Sequence, residues 1–102
     1  MVEESAVIAA KVRIERVLAD FAHNGAETKV VVVMDELGHL HAIVATCGFE
    51  GIPPRERQDR VRAHLRDHAR PEDLAHLYRI STMTPREYDE WLLSVGNQDR
   101  DY

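Results

Sequence analysis

The chain holds a single cysteine, Cys47, so no internal disulfide can form, which suits a reducing compartment. It has no apolar run near the roughly 20 residues that a membrane-spanning helix needs. Its first residues, Met1-Val2-Glu3-Glu4, are acidic where a secretory leader is basic, so a cytoplasmic location without membrane attachment is expected. Aromatic residues make up only 6% of the chain, and positive charge is in deficit, with 13 Lys and Arg against 18 Asp and Glu. A formal charge of −5 excludes a domain that wraps nucleic acid over its whole surface, because phosphate binding needs a positive field. Nor is there a nucleophile with a base beside it, a glycine-rich phosphate loop or a complete metal-binding signature, so the chain reads as non-enzymatic.

What is present is ordinary for one compact domain: 102 residues, 44% hydrophobic and 30% charged. We read residues 1–102 as a single domain with an ordered core over about 5–96. Residues 5–23 predict an amphipathic helix, with Val7, Ala10, Ile14, Val17, Leu18 and Phe21 on one stripe. Ser5 is placed to cap it and Asn24-Gly25 to end it. Four consecutive valines within 29–34 predict a strand short enough to be buried on both faces. Asp35-Glu36-Leu37-Gly38 supplies a tight turn into a second strand over 39–46, giving an antiparallel hairpin.

Gly48 to Pro54 is a break, and the prolines suit the first turn of a helix over 54–69 whose apolar face is thin, chiefly Val61, Leu65 and Ala69. Pro71 stops that helix, and 71–74 reads as one turn or a loop. A third strand is expected over 76–82. Thr84-Pro85-Arg86-Glu87 then combines a capping box with a proline at the first helical position, and Tyr88, Trp91, Leu92 and Val95 form the buried stripe of a last helix ended by Gly96. The order is α-β-β-α-(α)-β-α, and a three-stranded sheet with helices on one face buries these stripes most simply.

Charge is unevenly spread. Residues 55–70 hold six arginines against three acids, so the rest of the chain carries −8. The histidines fall in pairs: His39 and His41 at strand spacing, His64 and His68 at helical spacing. Neither pair has a third ligand nearby in sequence, so structural or solvent-facing histidine is the simpler reading for both. Cys47 reads better as a small buried side chain than as a thiolate ligand, since no second cysteine stands at motif spacing.

Three separated segments, His39-Leu40-His41-Ala42-Ile43-Val44, the Phe49-Glu50-Gly51 corner, and Ala75-His76-Leu77-Tyr78-Arg79-Ile80 leading to Thr84-Pro85, together resemble the BolA-like family, over roughly residues 28–91. That resemblance implies a BolA-like, type II KH-like α+β fold. It also implies an accessory or regulatory role beside a monothiol glutaredoxin in iron-sulfur cluster handling, with His76 a candidate ligand of a shared [2Fe–2S] cluster and Cys47 a weaker one. The chain departs from the family pattern where an Arg-His pair is expected and Arg57-Gln58 stands. It departs again where Glu36-Leu37-Gly38 replaces a longer first hairpin loop that carries a His or Cys. An amide is a poor ligand for such a metal, so His76 would carry the cluster role.

Two other functions stay open. One is a nucleic-acid-binding transcriptional regulator using the arginine-rich helix 54–69, with Phe49, Gly51, Arg55, Arg57, Arg60 and Arg62 the candidate contacts to nucleic acid or to a partner. The other is a protein-protein adaptor that has lost cluster binding. A monomer or weak homodimer is expected in each case.

Overall fold

The structure is a computed structural model that describes residues 2–21 and 28–100, with side chains over 5–21 and 28–94. Its elements run α1 (Val2–Phe21), β1 (Thr28–Met34), β2 (Leu40–Thr46), a 3₁₀ turn (Cys47–Phe49), α2 (Pro54–His68), α3 (Pro71–Leu74), β3 (Leu77–Met83) and α4 (Pro85–Arg100). The expected order is therefore met. Some ends differ. Ser5 lies inside α1 rather than capping it, and α4 continues through Gly96. Asn24-Gly25 and the side chain of Val95 lie outside the described residues.

The sheet order is β1-β2-β3. β1 pairs antiparallel with β2, from Thr28 opposite Thr46 to Met34 opposite Leu40. β2 and β3 run parallel, with a bulge that shifts the register between Leu40–Leu77 and His41–Arg79 and leaves Tyr78 as the extra residue. Asp35 closes the hairpin: its Oδ1 accepts from the backbone N–H groups of Leu37 (2.9 Å) and His39 (2.8 Å), and Gly38 supplies the φ of +82° that the turn requires.

One face of the sheet is sealed by α1 and α2. Ala10, Ile14 and Leu18 from α1 and Val61 and Leu65 from α2 meet Val32, Leu40, Ala42, Val44 and Ile80. The opposite face is covered in part by α4, where Tyr88 and Trp91 pack on Ile43, Ala45, Val31 and Met83. Helices thus lie on both faces, not one. The reason is legible in β2, whose residues Ala42, Ile43, Val44 and Ala45 are all buried; a strand apolar on both sides needs cover on both sides. β1 differs from the expectation in the opposite direction. It is an edge strand, and of its valine run only Val32 is buried while Val33 is 45% exposed.

Local signals set the start of α4. Thr84 Oγ1 accepts from Glu87 N–H (3.2 Å), and Glu87 Oε1 accepts from Thr84 N–H (2.7 Å), the reciprocal capping box. A longer tie fixes α3 beneath α1, where Arg13 Nε and Nη2 donate to the two carboxylate oxygens of Asp73 at 2.8 and 2.7 Å. Asp73 is 2% exposed, and the Arg13 guanidinium holds its carboxyl below the usual carboxylate range.

Candidate functional site

The residues singled out in the sequence separate into two groups at opposite ends of β2. Seven strand residues at about 3.3 Å each put roughly 20 Å between the ends. His39, His76 and Tyr78 belong to the hairpin end, whereas Cys47, Phe49, Gly51, Arg55 and Arg57 belong to the corner end. His76 therefore does not stand beside the glycine corner, and Cys47 cannot share a ligand set with it.

At the corner end the side chains are committed to structure. Phe49 is 2% exposed and packs on Phe21 with ring centroids 6.0 Å apart, so it is part of the core and not of a binding face. Gly51 holds φ +77°, where a side chain would be strained, and Thr46 Oγ1 accepts from Gly48 N–H to start the 3₁₀ turn. Arg57 is buried: its Nε donates to the Ile52 carbonyl at 2.7 Å, its Nη1 to Glu87 Oε1 at 2.7 Å, and its guanidinium stands 5.8 Å from the Phe49 ring centre. One arginine thus ties the corner, α2 and α4 together and is withdrawn from any phosphate surface. Arg60 is exposed but paired with Glu56 across one turn at 2.6 Å, leaving Arg55 and Arg62 as the exposed cations without an ion pair among the arginines first assigned to that surface. Cys47 is exposed on the 3₁₀ turn, not buried as expected.

Gln58 has a structural task as well. Its Nε2 donates to the Ile80 carbonyl of the edge strand β3 at 2.6 Å. Gln58, standing where the resemblance expects a histidine, thus ties α2 to one carbonyl of the sheet edge. The His64 and His68 pair is not a chelate. His64 Nε2 donates to the Val17 carbonyl (3.0 Å), His68 Nδ1 donates to the His64 carbonyl (3.1 Å), and the two rings stack at 4.3 Å. His41 faces Ser81 with 2.8 Å between Nε2 and Oγ; burial, with Arg79 adding to it, pushes its imidazole below its ordinary value. His39 and His41 are accordingly committed to different neighbours.

The hairpin end is looser. Leu40 N–H donates to the His76 carbonyl at 2.8 Å, and His76 N–H donates to the Asp73 carbonyl at 3.1 Å, so the backbone of His76 is held firmly where β3 enters the sheet. Its side chain is half-buried. His39 precedes Leu40 at this end of β2, its ring stacked on Tyr78 with centroids 5.3 Å apart and its Nδ1 3.5 Å from Asp35 Oδ2. Tyr78 is 73% exposed because the bulge turns it outward. Among the described residues no three His, Cys, Asp or Glu side chains are grouped to hold a metal ion. Any cluster at this end would therefore need most of its ligands from another molecule.

A three-stranded sheet ordered β1-β2-β3, antiparallel then parallel, with α2 and a helical turn crossing between the parallel strands, makes a small α+β domain of the BolA-like fold. Solved structures agree. BolA1 from Arabidopsis thaliana matches with a TM-score of 0.51 and 24% identity, covering 76% of this chain and 94% of that one. A Bol-like protein from Babesia bovis matches with a TM-score of 0.51 and 19% identity, covering 78% and 90%. No family model and no curated protein matches the sequence. Among the described residues no helix is long and apolar enough to cross a membrane.

Proposed function

We propose that this chain is a divergent, non-catalytic BolA-like protein of a reducing, cytoplasmic compartment that contributes a histidine to a [2Fe–2S] cluster shared with a monothiol glutaredoxin. The observation that carries the reading is the seat of His76. Two backbone hydrogen bonds fix its main chain where β3 enters the sheet, while the imidazole stays half-buried. A residue anchored through its backbone presents its side chain at little entropic cost, as a ligand for a second molecule must. The family resemblance around Ala75 to Ile80 supplies the identity of the partner. The cluster would bring electron-transfer chemistry and labile iron; this chain's part is to place one imidazole, that of His76, where thiolates from the partner complete the set.

Mixing the chain with a cluster-loaded monothiol glutaredoxin is expected to change the visible circular dichroism of the cluster, and His76→Ala is expected to abolish the change. An unaltered spectrum with the natural chain rejects the proposal. The nucleic-acid reading is weaker, because Phe49 and Arg57 are buried and Arg60 is paired.

A further inference from the structure

Between α2 and the free edge of β3 runs an open groove of about 350 Å³. Its floor is apolar, formed by Leu65 and Ile80 from the core and by half-buried Leu74 and Leu77. Its rim is cationic: Arg62 and Arg66 project from successive turns of α2, and Arg79 faces them from β3. In a chain with 18 acids to 13 basic residues, most other arginines of the helices find carboxylates: Arg13 has Asp73, Arg57 has Glu87, Arg60 has Glu56 and Arg86 has Glu90. Arg62, Arg66 and Arg79 have no ion-pair or hydrogen-bond partner among the described residues, and no acid lines the groove. Three like charges gathered over an apolar floor are complementary to an anion that carries an apolar group.

We infer that this groove binds an acidic peptide segment, a leucine or phenylalanine seated on the Leu65-Leu74-Leu77-Ile80 floor and flanking Asp or Glu side chains engaged by the three arginines. Strand addition to β3 is not the mode, since Gln58 already occupies the outward Ile80 carbonyl and α2 stands over that edge. The forked guanidinium suits carboxylates, and Tyr78 provides an exposed aromatic wall. This site lies alongside the His76 end and does not depend on cluster binding.

The test is fluorescence anisotropy, without metal, using a labelled decapeptide that carries Leu-Phe between runs of glutamate. Binding is expected to weaken with added salt. The double change Arg62→Glu and Arg66→Glu should weaken it about tenfold or more. Arg55→Glu, outside the groove on the same helix, should leave it unchanged. Both groove arginines are exposed, so the variant should keep its thermal transition; Arg79→Glu gives the same readout from the opposite wall. Equal binding by an all-glutamate decapeptide, equal loss with Arg55→Glu, or tighter binding of an oligothymidylate than of the peptide each overturns the assignment. The His76→Ala chain should bind the peptide as the natural one does, which separates this result from failure of the cluster proposal.

Discussion

At its C-terminal end β2 runs into Phe49, Gly51 and Arg57, a buried ring, a left-handed turn and a buried guanidinium. At its N-terminal end it begins beside His39, His76 and Tyr78, whose rings are exposed or half-buried. Both ends carry the residue types that draw attention in a sequence, cations and aromatics at one, imidazoles and an aromatic at the other. Only burial tells them apart. Where a conspicuous polar side chain is enclosed and fully hydrogen-bonded its use is architectural; where the backbone is bonded and the side chain is left at the surface, it is available to a partner. The corner end should therefore answer to mutation in stability, and the hairpin end in binding.

The largest expected effect is Phe49→Ala. Removing a ring packed against Phe21 and the Arg57 guanidinium should cost about 3 to 4 kcal/mol in urea unfolding. A loss below about 1 kcal/mol would place Phe49 in a surface role and undo the contrast. Next comes Arg57→Met, which deletes the bonds to Ile52 and Glu87 while keeping much of the stem; about 2 kcal/mol should be lost. Glu87→Gln in the same background should add little, because the two changes remove one shared interaction.

Acid sharpens the comparison in a third region. Asp73 titrates lower in the folded chain than its ordinary 3.8, chiefly through the hydrogen bonds from Arg13, and Glu87 is lowered from 4.5 by Thr84 N–H and then by Arg57. A depressed folded value means that the unfolded chain binds the proton first. The stabilisation is whole above the unfolded values and drains away as pH falls from there through the folded ones. Urea midpoints should accordingly decline below about pH 4.5, and Asp73→Asn should be less stable at neutral pH but show a shallower decline. An equal slope in both chains would remove Asp73 from the acid response.

How much of this was open to sequence reasoning follows from the range of each interaction. The Thr84-Glu87 box, the Asp35 turn and the α1 stripe join residues within a few positions, so their residue types announce them. Arg13 and Asp73 stand sixty positions apart, and neither is unusual in its own segment; only the packing of α3 under α1 pairs them. The second helical layer is legible in Ala42-Ile43-Val44-Ala45, four adjacent apolar residues that call for cover on both faces of β2. The arginines of α2 all look alike in sequence, and periodicity could not say that Arg57 turns inward while Arg62 and Arg66 line a groove. His76 was marked by family resemblance, yet its neighbours were not, because the parallel pairing of β2 with β3 brings the two strand starts together.

The smallest stability effects belong to the hairpin end, where they matter most for function. His76→Ala keeps both backbone hydrogen bonds and removes a side chain that bears on Asp73 only as a minor electrostatic neighbour. The change in unfolding free energy should stay within about 0.5 kcal/mol. Against this silence in stability, the cluster spectrum in the presence of the glutaredoxin should change completely. A destabilisation comparable to that of Arg57→Met would make His76 one more structural residue, and the contrast between the two ends of β2 would no longer point to a partner site.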